Sequence, residues 1–228
     1  DQVATLIRLF VIDAGRRMAG KMKSLVETAC RRAIPWSDVP MPMQTHQQFA
    51  APGNVGFWAM RYAAVFDRVR RHWSGVVEEW QRECPLGSGA VAGSSIPIDR
   101  SLTAASLGFE GPSLNALDST STRDECLEFL FLASQTALHL QSLAKDVIVF
   151  SQMPLAWTKY PAEFGTGSSM MPNKMNPDAM ELLRGEANAL RSAHVHAMLL
   201  MKGLPSGYNR DLQCIKPIVR DAAKKLDD

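Results

Sequence analysis

The stretch "RDECLEFLFLASQTALHLQSLAKDVIVF", Arg123 to Phe150, is apolar on nearly every helical face. A helix with that pattern needs neighbours on all sides, in a bundle or in other subunits, because any apolar face left in water forgoes the gain from burial. Its most apolar part, Phe129 to Ala144, is too short to span a bilayer and is interrupted by Gln135, His139 and Gln141. It is expected at the centre of a helical bundle. Companions lie on either side of it. Val3, Leu6, Ile7, Phe10, Val11, Ala14 and Met18 recur at helical spacing and predict one helix over residues 2–32, closed by Pro35. Trp58, Tyr62, Val65, Phe66, Val69, Trp73, Val76 and Trp80 stripe a second helix over residues 54–83. Another starts at Asn176-Pro177-Asp178, with Asn as N-cap, Pro at the first helical position and an acid in the first turn, and runs to about Met201. A turn from Gly203 to Tyr208 leads into a last amphipathic segment. No strand series and no internal repeat appear, so the fold class is all-α, a bundle of long, nearly antiparallel helices.

Composition narrows the function. With 228 residues, 46 % of them hydrophobic, the chain can bury a real core. Its 25 Lys and Arg nearly balance 23 Asp and Glu, and no basic run or interleaved aromatic stripe occurs, which speaks against nucleic acid and membrane surfaces as partners and leaves small-molecule chemistry open. Cys30, Cys84, Cys126 and Cys214 stand far apart with no C-x-x-C pair, as free thiols in a reducing compartment would, and this favours the cytoplasm. The chain begins at Asp1 already inside a helical pattern and is expected to be a piece of a longer one.

Chemistry concentrates in two places. In "GTGSSMMPNKMNPDAMELL", Gly165 to Leu183, the small residues Gly165, Gly167, Ser168 and Ser169 supply a hinge and unencumbered backbone N–H groups, as a lid would need. Lys174 adds a point charge and the helix start around Asn176 adds a dipole end, so together they form an anion clamp. The same composition also suits a plain connector. Thr45-His46-Gln47-Gln48 lies in a short polar gap between two long helices, where His46 can exchange protons near neutral pH and Glu181 can orient its imidazole; an ordinary loop histidine is the alternative. From Pro85 to Thr122 the pattern dissolves into Gly, Ser, Pro and Asn, with one short helix near residues 99–107, a length that points to function. Within it Gly87-Ser-Gly-Ala-Val-Ala-Gly93 follows no strand and opens no βαβ unit, so it is a tight turn and not a dinucleotide fingerprint. His194 and His196, two apart on a helix, point in different directions and make no metal pair. The twelve methionines fill gaps between helices.

Gly167-Ser-Ser-Met-Met-Pro-Asn-Lys-Met-Asn-Pro177 resembles the GSSxMPxKxNP signature of the fumarase/aspartase superfamily, whose members cleave a C–N or C–O bond by β-elimination and release fumarate. Thr45-His46-Gln47-Gln48 resembles its T-H-x-Q segment, and "PLGSGAVAG", "LGFEGPSLNALDSTSTRDECLEFL" and "GLPSGYNRDLQ" are most similar to the argininosuccinate lyase family. The resemblance covers nearly the whole chain. It implies that Ser168 is the catalytic base, that Lys174 and Asn176 bind succinyl carboxylates, that His46 with Glu181 is a proton relay or acid, and that Thr45 and Ser169 contact substrate. Arg123, Tyr208, Gln213 and Lys216 fall where that family holds its substrate. No cofactor and no metal are implied.

The resemblance further implies that residues 1–228 form a central helical-bundle domain, the family's N-terminal and C-terminal regions lying outside this chain. It also implies a homotetramer in which four bundles pack into one core and each active site draws on three subunits. Adenylosuccinate and other substituted succinates are the sibling substrates, and a non-catalytic scaffold of the same fold, as in delta-crystallin, is the reading from a different class. Departures from the pattern are Met175 in place of a second lysine, Cys214-Ile215 in place of an acidic pair, and Ser94-Ser95 in place of Asn-Pro.

Overall fold

Asp1 caps the first helix by accepting the N–H of Gln2 at 2.7 Å, and α1 then runs unbroken from Gln2 to Ala33. The structure, a computed structural model, describes residues 1–228. After α1 the chain forms strands β1 (Pro40–Thr45) and β2 (Gln48–Asn54), helix α2 (Val55–Trp80), strand β3 (Glu83–Cys84), helix α3 (Arg100–Ser106) and strand β4 (Gly111–Pro112). Helices α4 (Ala116–Ser121) and α5 (Asp124–Ser151), strands β5 (Thr166–Gly167) and β6 (Met175–Asn176), and helices α6 (Asp178–Met201) and α7 (Ile215–Asp227) complete it.

Small residues and ring contacts set the helix directions. A Cβ on Gly15 would lie 2.6 Å from Val77 Cγ2, and one on Gly56 would lie 2.5 Å from the Ala33 carbonyl oxygen, so α1 and α2 run antiparallel at close approach. Between α2 and α5, Trp73 Nε1 donates to Thr136 Oγ1 at 3.1 Å, with its ring edge-on to Phe129 at 5.4 Å, and Tyr62 donates to Asp146 Oδ2 at 2.7 Å. Gln141 of α5 donates to the Arg184 carbonyl of α6 at 3.3 Å, while Phe131 meets His194 at 5.8 Å. Helix α7 returns beside α1, where Asp227 pairs with Arg17 at 3.1 Å. Helix α5 thus touches α1, α2, α6 and α7 and is central, as its apolar pattern requires.

This arrangement gives the bundle two poles. Ala33, Val55, Ser151 and Asp178 lie at the hairpin pole, beside β1 and β2; Gln2, Trp80, Asp124, Met201 and Ile215 lie at the opposite, loop pole. The 28 residues of α5 separate them by about 42 Å at 1.5 Å per residue. The loop pole is built on buried polar groups. Arg8 reaches Glu125 at 3.4 Å and donates to the Glu83 carbonyl at 2.7 Å; burial pushes the Glu125 carboxyl above its ordinary range, and Arg8 and Arg123 draw it only part of the way back. Arg100 donates to Ser88 Oγ and Ser113 Oγ at 3.1 and 3.0 Å, tying the irregular segment to α3.

Three sequence expectations need correction. The polar gap after α1 is not free of strand: β1 and β2 pair antiparallel from Pro40–Asn54 to Thr45–Gln48, with His46 and Gln47 as a two-residue turn at φ 54° and 60°. Prolines at 40, 42 and 52, in strands of which only Met41 is buried, hide the alternation that would have marked them. Helix α2 ends at Trp80, three residues short of the expected Glu83, because the backbone of Glu83 and Cys84 pairs in parallel with Gly111 and Pro112. Asn176 is not the N-cap of α6: Pro177 holds that position with no side-chain cap, since the Asn176 backbone is engaged with Thr166 in the β5–β6 pair. The short helix near residues 99–107 is present as α3, the Gly87–Gly93 segment is a turn closed by Gly93 N donating to the Ser88 carbonyl at 2.8 Å, and α4 is an element that the sequence reading lacks.

The chain exposes 13380 Å², about 3,000 Å² more than a compact monomer of 25.1 kDa would. The excess lies on helix faces with large apolar side chains turned outward, such as Leu182 at 69 % and Leu199 at 64 % exposure on α6. No helix is long and apolar enough to cross a membrane.

Trp73 is fully buried at the α2–α5 contact. Trp73→Ala is expected to lower the unfolding free energy by about 3–5 kcal/mol, the cost of emptying a large aromatic site in a packed core, read from urea denaturation at constant protein concentration.

Candidate active site

The signature segment is a flap between α5 and α6. Strands β5 and β6 pair antiparallel, Thr166 with Asn176 and Gly167 with Met175, and close the flap at its base. The Thr166 hydroxyl hydrogen-bonds the Asp178 carboxylate, which fastens this base to the first turn of α6. Gly165 has no room for a side chain, because a Cβ there would sit 2.7 Å from the Asn176 carbonyl oxygen. Between the strands, Ser168 Oγ accepts the N–H of Met171 at 3.1 Å and of Met170 at 3.3 Å. Two backbone dipoles therefore point at one hydroxyl oxygen, an environment that favours negative charge on it. Ser169 and Lys174 are exposed on the same flap, and the Lys174 backbone N–H donates to the Met171 carbonyl at 3.1 Å.

Thr45 and His46 stand at the tip of the β1–β2 hairpin, at the same pole as the flap. Both are exposed, as is Glu181 in the first turn of α6, and no hydrogen bond joins His46 to Glu181 within one chain. The positive φ of His46 and Gln47 is a conformation that non-glycine residues hold at a cost, and the antiparallel pairing of Thr45 with Gln48 maintains it.

The remaining candidates gather at the loop pole. Lys216 Nζ donates to Gln213 Oε1 at 2.5 Å, and the Gln213 amide donates to the Tyr208 hydroxyl oxygen, so the three form one hydrogen-bonded row along the start of α7. Arg123 differs from them. It is 1 % exposed, its guanidinium donates to the Thr120 and Thr122 carbonyls, and its Nε has no partner, so within one chain it faces the interior and not an open surface. The two groups are separated by the length of α5. A groove of about 850 Å³ runs along the flank between α1, α5 and α6, is lined by residues such as Met22, Leu25, Leu140 and Leu190, and contains none of the candidates. No three His, Cys, Asp or Glu side chains converge as a metal site would need; His194 instead packs on Phe131.

The sequence reading missed Thr166, although its distance from Asp178 across a Gly-Ser loop is what a fastened flap base requires. It also missed the hairpin that carries His46; the only local signal was the polar pair His46-Gln47 between two Met- and Phe-containing runs.

The candidates thus stand on a bundle of long antiparallel helices, with a serine-bearing flap at one end and the hydrogen-bonded row of Tyr208, Gln213 and Lys216 at the other. Residues 1–191 match the family described as Lyase, and the chain belongs to that family, within the fumarase/aspartase superfamily. Among its relatives, the argininosuccinate lyase of Bartonella bacilliformis is 40 % identical over 227 residues, covering 100 % of this chain and 48 % of that protein. Argininosuccinate lyase 1 of Mesorhizobium japonicum is 41 % identical with the same coverage. The chain spans about half the length of these curated relatives. Among solved structures, EDDS lyase in complex with formate superimposes with a TM-score of 0.88 at 23 % identity, covering 98 % of this chain and 46 % of that one. The class II fumarase of Schistosoma mansoni gives 0.86 at 18 %, covering 99 % and 52 %. These two likenesses establish the fold.

Gly165→Ala is expected to force β5 and β6 apart. Hydrogen exchange at residues 165–177 should then accelerate while that of α5 is unchanged; equal exchange in both segments would show that the close approach at Gly165 does not hold the flap together.

Proposed function

We propose that this chain is the central bundle of an argininosuccinate lyase, which cleaves argininosuccinate into arginine and fumarate. The observation that carries the reading is Ser168, whose hydroxyl oxygen accepts two backbone N–H groups on a flap at the bundle's end. A serine hydroxyl is a poor base until its alkoxide is stabilised, and these dipoles with the nearby Lys174 supply that stabilisation once the flap excludes water.

Ser168 takes the proton from the carbon beside a succinyl carboxylate, leaving an aci-carboxylate dianion. Lys174 and Asn176 bind the carboxylates, with Thr45 and Ser169 as further contacts, and favour the dianion over the ground state. Collapse of the dianion breaks the bond to the guanidino nitrogen, His46 with Glu181 provides the proton that nitrogen needs, and fumarate remains. Tyr208, Gln213 and Lys216 hold the arginine end, and Arg123 acts from the interior by holding the turn that precedes α5.

One chain presents these groups at opposite poles, so a complete site needs the hairpin pole of one copy beside the loop pole of another. The outward apolar faces of α5 and α6 are the surfaces such copies bury, which supports a homotetramer with shared sites. Four unpaired cysteines support the cytoplasm as its compartment.

The test offers argininosuccinate and adenylosuccinate to the full-length protein and follows fumarate. Turnover of argininosuccinate alone is expected, with Ser168→Ala reducing kcat by at least about a hundredfold; fumarate from adenylosuccinate, or undiminished Ser168→Ala, would overturn the substrate or the base. Sedimentation of the same protein should give a tetramer, and a stable monomer with full activity would exclude shared sites.

A further inference from the structure

A row of aromatic rings at the hairpin pole joins β2, the stretch that follows α5, α5 itself and α2. Phe49 of β2 meets Trp157 at 5.9 Å, Trp157 meets Phe150 of α5 at 5.1 Å, Phe150 meets Trp58 of α2 at 5.6 Å, and Trp58 meets Tyr62 at 5.4 Å. The inner end is rigid. Asp146 Oδ2 accepts both Trp58 Nε1 at 2.9 Å and the Tyr62 hydroxyl at 2.7 Å, and Tyr62 is buried with the Arg61 guanidinium 4.5 Å above its ring. The outer end is not. Phe49 is 63 % exposed, and Trp157 is the single ring it touches.

Trp157 occupies a particular place in the chain. It follows the end of α5 and precedes the flap, and the backbone N–H groups of Trp157 and Thr158 both donate to the Phe150 carbonyl, at 2.8 and 3.2 Å. The chain leaving α5 is thereby folded back onto the last turn of that helix, with the indole directed toward the hairpin. Phe49 sits next to Gln48 and three residues from His46, so whatever fixes its ring also fixes the hairpin tip. No backbone ladder or ion pair joins the hairpin to the flap root; this ring contact does.

We propose that Trp157 is a positioning residue, a wedge between the end of α5 and the β1–β2 hairpin that sets Thr45 and His46 relative to the root of the Ser168 flap. The catalytic part of this statement rests on the lyase reading above; the mechanical part does not. Removing the indole leaves Phe49 without its ring partner and frees the hairpin to move by more than a proton-transfer site tolerates, since displacements of about 1 Å can cost up to a hundredfold in rate.

The experiment compares Trp157→Ala, Trp157→Phe and Phe49→Ala in the full-length protein, by steady-state kinetics on argininosuccinate and by hydrogen exchange. Trp157→Ala and Phe49→Ala are each expected to reduce kcat by about tenfold or more with KM little changed, and to speed exchange at residues 40–54 while α1, α2 and α5 keep theirs. Trp157→Phe, which retains a ring, should restore most of both. Phe49 is exposed, so Phe49→Ala decides the matter alone if Trp157→Ala fails to fold. Unchanged exchange over residues 40–54, or a Trp157→Phe variant as impaired as Trp157→Ala, overturns the proposal. Should the unaltered protein release no fumarate, the lyase reading falls, and the exchange result still decides whether Trp157 positions the hairpin.

Discussion

A rigid helix cannot bring its own two ends together. The 28 residues of α5 and the 32 of α1 keep the hairpin pole and the loop pole about 40 Å apart, and every short connection in the chain returns to one pole or the other. This separation decides which side chains can cooperate within a chain. Ser168, Lys174, Asn176, Thr45, His46 and Glu181 share one pole; Tyr208, Gln213, Lys216 and Arg123 share the other. On the proposed reading the substrate needs both sets, and only a second copy can supply the missing one. On that reading the excess exposed surface and the outward leucines of α6 are the counterpart of the requirement, because large exposed apolar faces mark surfaces of interaction.

The two poles are held by different physics. At the loop pole, Arg8, Arg100, Arg123 and Glu125 are drawn inside and bonded to carbonyls, serine hydroxyls and one another, so the long segment from Pro85 to Thr122 is fixed although it has little regular structure. Breaking such a network leaves a charge without compensation in the interior, so it resists local opening. At the hairpin pole the connections are a two-residue strand pair, one hydroxyl–carboxylate bond and a row of rings whose outer member, Phe49, stands in water. Local opening is easiest where few apolar contacts are buried. On the proposed reading, a flap that admits substrate and then excludes solvent belongs at that pole, while a row that recognises the rest of the substrate is better placed on the fixed one.

The bundle was legible because its signal is periodic and local. Trp58, Tyr62, Phe66, Trp73 and Trp80 mark the buried face of α2 at helical spacing, and the all-round apolar character of residues 123–150 announced a central helix. The flap was legible for another reason: glycines, serines, a lysine and a helix start within a few positions form a combination that composition alone seldom produces. The β1–β2 hairpin was not legible. Its strands carry three prolines and little alternation, and the pairing that defines them is a property of two backbones brought together by α1 and α2. The inward turn of Arg123 and the placement of Asn176 in a strand were hidden likewise, since each depends on what partner the surrounding fold offers to one guanidinium or one amide.

By itself the amino-acid sequence determined the long helices, their order, the central position of α5 and the membership in a lyase family, since these follow from side-chain periodicity and from a contiguous motif. Only the tertiary structure decided that the candidate residues divide between two distant poles, that Ser168 receives two backbone N–H groups, and that Trp157 bridges the flap root to the hairpin. Those facts are distances between groups remote in the chain, and such distances are set by the packing of whole helices.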